Sequence, residues 1–199
     1  MTNSQRPSTP FASLFAVALL LLLTGCGVTQ PTYTAPEESP IESTSVTVDA
    51  EFDEAWSTLI GYASQRFFAI DSFEKDSGLL TITFSSDPDR FINCGMYKTD
   101  SPSYEGTYIG YAERYLSAGL SGRMNLTVRE VDNGTEIAVN TRYVFDVTNG
   151  PQQFSWTFNT GGSDTQVVPS NNFGATQERT CRPTHQAEEE ILEGIQSEI

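Results

Sequence analysis

The chain has 199 residues, of which 26 are acidic and 11 are basic, and its formal net charge at pH 7 is −15. A surface with this excess of negative charge repels phosphate backbones, so nucleic-acid binding is excluded. The length suits one domain with a short extension rather than several domains.

An apolar stretch without charged side chains covers residues 11–23. A membrane-spanning helix needs about 20 residues, whereas the apolar core of a signal peptide needs about 7–15, so the length favours a signal peptide. The stretch ends in Leu23-Thr24-Gly25-Cys26, which resembles the lipobox of bacterial lipoproteins. The alternative is an ordinary secreted protein with a cysteine at this place by chance.

The lipobox resemblance implies that residues 1–26 are a lipoprotein signal peptide ending at a lipidated Cys26. Cys26 would carry a diacylglycerol on its thiol and an acyl chain, such as palmitate, on its new amino group. Two or more such chains hold a protein stably on a membrane. Gly27 follows in place of the aspartate that retains lipoproteins on the inner membrane, which favours the outer membrane. We expect the domain to face the periplasm and to contact the membrane through the lipid anchor.

Residues 27–44 are rich in Pro, Thr, Ser and Glu. This composition offers too little apolar surface to offset the entropy of ordering, so a flexible tether is predicted. Residues 45–199 are then expected to form a single domain.

Two cysteines, Cys94 and Cys181, remain after Cys26 is assigned to the lipid. In the oxidising compartment that a signal peptide implies, a disulfide between them is expected. The alternative is a pair of buried free thiols.

Periodicity predicts the elements at the start of the domain. Val46 and Val48 alternate with Thr47 and indicate a short strand. Apolar residues at helical spacing predict a helix at about 53–65. Two alternating runs around Gly78 predict a hairpin of strands at about 67–74 and 79–86.

Residues 90–119 give no clear pattern, and we expect a loop followed by a strand. Four tyrosines in this region, at 104, 108, 111 and 115, have spacings of four, three and four, which would also suit a helix. Gly106 and Gly110 disfavour that helix, and an extended aromatic edge is equally consistent with the sequence.

The second half contains the clearest signal. Polar and apolar residues alternate over 120–147 around Asp132-Asn133-Gly134, which predicts an antiparallel hairpin. Alternation over 154–158 predicts an edge strand. The polar residues 159–180 predict a long loop. Apolar residues four apart after Pro183 predict a C-terminal helix, which the disulfide would fix to the sheet. The expected fold class is α+β, an antiparallel sheet with an N-terminal and a C-terminal helix packed on one face.

Residues 52–86, with a tryptophan-bearing helix followed by a hairpin with a glycine turn, resemble the helix-grip module of envelope lipoproteins. The C subunit of the outer-membrane barrel-assembly machinery is an example of this family. The resemblance implies a fold type and an envelope location, and it transfers no partner and no site residue.

No motif in the sequence carries catalytic chemistry, so the protein is expected not to be an enzyme and to need no cofactor. Ser77, between Asp76 and Gly78, lacks the flanking glycines of a nucleophile elbow and is explained by the hairpin turn. His185 is the single histidine, and no second ligand or nucleophile can be matched to it. Asp132 with Glu136, like Asp87 with Asp89, lacks calcium-loop spacing. No metal site is predicted.

Two functions remain from the sequence. The first is an interaction or scaffold domain in an outer-membrane or periplasmic assembly, with an envelope protein as partner. The second is a glycan or small-ligand binder that uses an aromatic surface, since tyrosine and tryptophan rings stack on sugars and partner surfaces. The candidate binding residues are Tyr104, Tyr108, Tyr111, Tyr115 and Trp156.

Overall fold

The computed structural model describes residues 30–66, 68–85, 88–170 and 175–199. The predicted signal peptide and its lipidated Cys26 lie outside these residues. In the described part, 52% of the residues are in strands and 25% in helices, and the strands form three sheets beside four helices. The protein is therefore mainly antiparallel β-structure.

The largest sheet has six strands, in the order β10-β9-β8-β4-β3, and β2 also pairs with β9. At its centre is the hairpin of β8 (Ser117–Val131) and β9 (Gly134–Asn149), so the hairpin predicted from Asp132-Asn133-Gly134 is confirmed. The flanking strands are β2 (Ser45–Val48), β3 (Ala69–Glu74), β4 (Leu79–Phe84) and β10 (Gln152–Asn159).

The six-stranded sheet has one buried face because apolar side chains alternate with polar ones along its central strands. Ile137, Tyr143 and Phe145 of β9 are each 0% exposed. Two helices contact this sheet: α1 (Phe52–Ser64) lies against β8 and β9, and α4 (Gln186–Glu198) lies against β9 and β2.

Helices α1 and α4 also contact each other closely at a glycine. A Cβ atom on Gly194 would lie 2.0 Å from the Cζ atom of Tyr62, so only glycine fits this contact. The Tyr62 hydroxyl donates a hydrogen bond of 3.0 Å to the carbonyl oxygen of Glu190. The ring therefore covers Gly194 and fixes the separation of the two helices.

Two three-stranded sheets form the rest of the domain. One contains β1 (Thr32–Thr34), β6 (Met96–Asp100) and β7 (Ser103–Thr107), and the other contains β5 (Ile92–Asn93), β11 (Asp164–Pro169) and β12 (Thr176–Pro183). The long loop predicted at 159–180 is wrong, because β11 and β12 pair as antiparallel strands in this region. Their Thr and Gln side chains do not alternate with apolar ones, so the sequence did not indicate strands.

Residues 90–119 also differ from the predicted loop and strand. They contain part of the short helix α2 (Pro88–Phe91), the strands β5, β6 and β7, and helix α3 (Tyr108–Tyr115). Thr107 caps α3 because its side-chain oxygen accepts a hydrogen bond from the amide of Gly110. The cap starts the helix despite Gly110 inside it.

The predicted fold class, α+β with an N-terminal and a C-terminal helix packed on one face of a single antiparallel sheet, is wrong. The structure has three sheets, and its helices are not gathered on one sheet face. Helix α3 contacts β6 and β7 as well as β8, while α2 contacts α3, α4 and β5. The sequence-based prediction failed because short strands with polar side chains carry no periodicity from which a second and third sheet can be counted.

The disulfide predicted between Cys94 and Cys181 is confirmed, with a Cα–Cα distance of 4.1 Å. Both residues are buried, at 1% and 0% exposure. Cys94 lies between β5 and β6, and Cys181 lies in β12. The bond therefore holds β6 close to β12, and these two strands belong to different small sheets. The bond closes a loop with a sequence separation of 87 residues.

The part of the predicted tether that the structure describes, residues 30–44, lies along the domain. Strand β1 pairs with β6, and the Tyr33 hydroxyl donates to the carbonyl oxygen of Thr180 and accepts from its amide. Pro36 is buried. Within the described ranges, none of the helices has the length and apolar character that crossing a membrane requires.

Candidate functional site

The five aromatic residues predicted as a binding surface are divided by the structure into a buried pair and a partly exposed group. Tyr108 is 2% exposed and Trp156 is 0% exposed. The indole nitrogen of Trp156 donates a hydrogen bond of 2.8 Å to the carbonyl oxygen of Arg179. Because both rings are buried, Tyr108 and Trp156 belong to the core and present no surface to a ligand.

Arg179 is the centre of the buried aromatic group, although it is a cation with only 2% exposure. Its guanidinium carbon lies 4.3 Å from the ring centroid of Tyr97 and 4.2 Å from that of Tyr108, and the Tyr33 ring lies 5.8 Å away. We call Tyr33, Tyr97, Tyr108 and Arg179 the tyrosine–Arg179 cluster. Its rings supply the cation–π attraction that a buried guanidinium needs.

No carboxylate balances the charge of Arg179, since the ion pairs found among the described residues do not include it. Burial raises the pKa of the Tyr108 hydroxyl, and the neighbouring Arg179 opposes this shift. Burial likewise raises the pKa of Tyr33. Both phenols are therefore neutral at physiological pH, and the rings act on Arg179 through their quadrupoles.

Tyr104, Tyr111 and Tyr115 form the exposed continuation of this cluster, which we call the tyrosine ridge. The centroids of Tyr104 and Tyr111 are 5.5 Å apart, and those of Tyr111 and Tyr115 are 5.1 Å apart. Tyr115 is 36% exposed, and the other two are partly buried. Of the predicted aromatic surface, these three rings remain accessible.

The second accessible surface is the face of the six-stranded sheet that lies opposite its apolar side. We call it the open face. Its side chains are exposed or half-buried at alternate positions along β8 and β9, and they include hydroxyl, amide and guanidinium groups as well as the carboxylates of Asp71, Glu136 and Asp146. Along β8 the exposed residues are Ser117, Gly119, Ser121, Arg123, Asn125, Thr127 and Arg129.

One row of residues crosses the open face and brings two arginines together. Strand register places Thr83, Arg123, Arg142 and Asn159 side by side on β4, β8, β9 and β10. We call these four residues the arginine row. Directly opposed residues on antiparallel strands have Cβ atoms roughly 5 Å apart, so the Arg123 and Arg142 side chains leave the sheet next to each other.

Only one of the two arginines has an acidic partner in the described part of the chain. Arg123 Nη1 lies 3.0 Å from Asp71 Oδ2 on the neighbouring edge of the sheet. Arg142 is exposed and belongs to none of the ion pairs of the described residues. Since opposed like charges destabilise a strand pair, this pairing is unfavourable for the isolated fold.

The row beside the arginine row adds uncharged donors and acceptors. Asn125 and Asn140 face each other on β8 and β9, and Thr81 of β4 is in register with Asn125. The Thr81 hydroxyl donates a hydrogen bond of 3.1 Å to Asn125 Oδ1. Together the two rows form a polar surface that contains Arg123 and Arg142 at facing strand positions.

Sequence reasoning missed the arginine pair, although the sequence contains the signal. With Asp132 and Asn133 as a two-residue turn, each residue of β8 faces the residue of β9 equally far from the turn. Counting outward in this way opposes Arg123 to Arg142, as the register shows.

Among the residues considered for catalysis or metal binding, Ser77, Glu136 and His185 have structural partners, and Asp87 lies outside the described residues. Ser77 ends a 3₁₀ turn and donates to the carbonyl oxygen of Glu74 at 3.2 Å. Glu136 pairs with Arg129 across the β8–β9 hairpin. His185 is 4% exposed and precedes α4. Where the structure is described, no three His, Cys, Asp or Glu side chains are placed to hold a metal ion together.

A buried carboxylate, Glu188, lies in the core at 0% exposure. Its Oε2 accepts a hydrogen bond of 2.7 Å from the Tyr143 hydroxyl, and its Oε1 accepts one of 2.8 Å from Thr160. Burial, followed by the charge of Glu188, raises the pKa of Tyr143 strongly. These bonds fix α4 to β9 and β10, which is a structural role.

Comparison with protein-family models, with curated proteins and with solved structures finds no match to this chain.

Proposed function

We propose that the protein is a lipid-anchored cell-envelope protein whose domain binds an acidic surface of an envelope partner through its open face. The anchor is the acylated Cys26, the location is the periplasmic side of the outer membrane, and the domain acts as an interaction or scaffold module. The arginine row is the observation that carries this proposal.

The arginine row supports a docking role because it combines exposure with incomplete charge compensation. In a chain of net charge −15, Arg123 and Arg142 occupy facing positions on β8 and β9, with Asp71 as the one carboxylate paired to them in the described structure. A guanidinium fork binds carboxylates in a bidentate manner. A partner that presents a carboxylate over Arg142 would relieve the repulsion and complement the charge of this surface.

The compartment is supported by two independent features of the chain. The residues Leu23 to Cys26 match the lipobox pattern at all four positions. The buried Cys94–Cys181 disulfide is typical of proteins that mature in an oxidising compartment. A bacterial periplasm provides both the lipid-modifying enzymes and the oxidising conditions.

The docking proposal is tested by reversing the charges of the arginine row. The double variant Arg123→Glu/Arg142→Glu should reduce binding to the envelope partner by roughly tenfold or more, because each carboxylate then meets a like charge. The measurement is the size of the complex, from native membranes solubilised in mild detergent. The wild type should migrate as a larger assembly and the variant as the free protein.

Arg66→Glu is the matched control, since Arg66 is exposed just after α1, the helix that packs on the buried face of the sheet, and its guanidinium lies over the Tyr62 ring. It makes the same charge reversal at one site in place of two and should leave the assembly intact. A wild-type protein that migrates only as a free monomer, or equal losses in both variants, would sink the proposal.

The anchor is tested by mass spectrometry of the protein from its native host. The proposal expects a mature N-terminus at Cys26 with a mass increase that matches a diacylglycerol and an amide-linked acyl chain. Cys26→Ser should release the protein from the membrane. An intact, unacylated N-terminus would contradict the anchor.

The tyrosine ridge favours a second candidate function, glycan binding. Tyr104, Tyr111 and Tyr115 are adjacent, and each ring is at least partly accessible. Aromatic rings of this kind stack on the apolar faces of sugars. Titration with soluble envelope oligosaccharides should then quench tyrosine fluorescence in the wild type and not in Tyr111→Ala/Tyr115→Ala. Absence of any saturable change would exclude it.

A further inference from the structure

A cleft separate from the open face lies where the N-terminal segment crosses the end of β12. Its volume is about 490 Å³, which is within the range of small-molecule sites, and it is half open to solvent. One wall is formed by residues 38–41 of the N-terminal segment and the other by the turn at residues 160–163. Arg182 and His185 lie at its base, at the end of β12 and before α4.

Two buried polar atoms without partners belong to side chains that line this cleft. Of the four buried side-chain atoms that lack a hydrogen bond in the described structure, Arg182 Nε and His185 Nδ1 are the two that belong to cleft residues. Buried polar groups are usually satisfied, so this pair of atoms indicates a group that binds there.

The charged residues that line the cleft are one cation, Arg182, and one anion, Glu38. The Arg182 side chain is 19% exposed, and its nearest acidic partner, Glu38, lies 3.9 Å away with a side chain that is 92% exposed. This contact is long and solvated, so it contributes little. It shows nevertheless that Arg182 attracts a carboxylate of the chain itself. The other nearby acid, Glu188, has both oxygens engaged by Tyr143 and Thr160.

His185 defines a second property of the ligand. Its Nε2 lies 2.8 Å from the carbonyl oxygen of Ser39, and because that oxygen can only accept, Nε2 carries the proton. In the neutral imidazole, Nδ1 is therefore an acceptor without a partner. A ligand that satisfied it would present an N–H or O–H group.

We propose that this cleft binds a small organic carboxylate that also carries a hydrogen-bond donor near the carboxyl group, such as an N-acylated amino acid. The carboxylate binds the Arg182 guanidinium in place of Glu38, and the donor binds His185 Nδ1. The helix dipole at the N-terminus of α4, directly after His185, also favours an anion here. The site needs neither the open face nor the lipid anchor.

The single histidine makes the test direct, because its imidazole signals are unambiguous in NMR spectra. The purified full-length chain, labelled in histidine with ¹³C and ¹⁵N, is titrated with N-acetylglycine. We expect a saturable shift of the His185 Nδ1 and ring signals with a Kd of about 1 mM or tighter. N-acetylglycinamide, which lacks the carboxylate, and acetate, which lacks the N–H group, should each bind at least roughly tenfold more weakly.

Two variants change the affinity in opposite directions. Arg182→Gln should weaken binding by roughly tenfold or more, with Arg182→Lys in between, because a bidentate fork is lost. Glu38→Gln should strengthen binding, because it removes the internal competitor while Arg182 stays in place. Glu38 is exposed, so this variant keeps the fold. No saturable shift in the wild type and in Glu38→Gln, or equal shifts with N-acetylglycinamide, would overturn the proposal.

Discussion

The six-stranded sheet and the tyrosine–Arg179 cluster are stabilised in different ways. In the sheet, the apolar side chains of β8 and β9 share one large buried face, so stability is distributed over many residues. In the cluster, two short sheets meet around one buried arginine and one disulfide. The sheet should therefore tolerate single substitutions, whereas the stability of the cluster depends on a few residues.

This difference also separates structure from function. The sheet buries its apolar face completely, so its opposite face is free to carry polar groups that the fold does not need. The arginine row on that face is unfavourable for folding, which is typical of a surface kept for binding. The cluster encloses its charge with its own rings, so its chemistry serves the fold.

Removal of the disulfide should give the largest effect. For a loop of this length, Cys94→Ser/Cys181→Ser should lower the free energy of unfolding by roughly 4–5 kcal/mol. Urea unfolding followed by circular dichroism measures the change. A reducing agent should shift the wild type to the value of the variant and should leave the variant itself unchanged. An unaltered midpoint would mean that the small sheets hold together without the bond.

Truncation of Arg179 is the next largest change. Arg179→Ala leaves a cavity between Tyr97 and Tyr108, and we expect a loss of about 2–5 kcal/mol, as for other long buried side chains. Arg142→Ala is the matched control on the open face and should change stability by less than about 0.5 kcal/mol. Similar small changes in both variants would erase the distinction between the two regions.

The contact of α1 with α4 can be tested with two glycines. Gly194→Ala places a methyl group against the Tyr62 ring and should cost about 1–3 kcal/mol. A Cβ on Gly61 of α1 would meet no atom within 4 Å. Gly61→Ala should therefore stabilise the protein by about 0.5–1 kcal/mol, since alanine is the better helix former. Thermal unfolding distinguishes them, and a stabilising Gly194→Ala would refute the close packing.

The raised pKa of the buried Tyr143 predicts that the free energy of unfolding depends on pH. Burial and Glu188 raise its folded-state pKa above the unfolded value of about 10. Above that pH the unfolded chain releases the proton and the folded protein keeps it, so stability falls as pH rises. Relative to wild type, Tyr143→Phe should lose about 1 kcal/mol less stability between pH 10 and pH 11. Parallel stability curves would contradict the raised pKa.

The sequence allowed the regular half of the fold to be predicted, for physical reasons that the other half lacks. The alternation around Asp132-Asn133-Gly134 and the helical spacing after Pro183 each indicate an element with one buried face. These patterns therefore predicted β8, β9 and α4. Strand β12 buries Arg179, Cys181 and Pro183 on one face, but an arginine, a cysteine and a proline do not read as an apolar alternation. Strands β11 and β12 pair through their backbones and are held by Cys181, and neither leaves a periodic signal.

The candidate surfaces were predicted to a similar, partial extent. Tyrosine spacing indicated an aromatic group, but only the tertiary structure shows that Tyr108 packs on Arg179 while Tyr115 reaches solvent. The arginine row needed the strand register, which the turn residues contain. The cleft at Arg182 depends on residues far apart in sequence, and no local pattern relates Glu38 to His185.

Site-specific photo-crosslinking in the native envelope shows which face of the domain meets a partner protein. One benzophenone probe replaces Asn140 on the open face, and a second replaces Tyr115 on the tyrosine ridge. We predict one dominant protein adduct from the Asn140 probe, lost on Arg123→Glu/Arg142→Glu and kept in Arg66→Glu, and no such adduct from the Tyr115 probe. Adducts from the Tyr115 probe alone, or an Asn140 adduct that survives the charge reversal, would contradict the account.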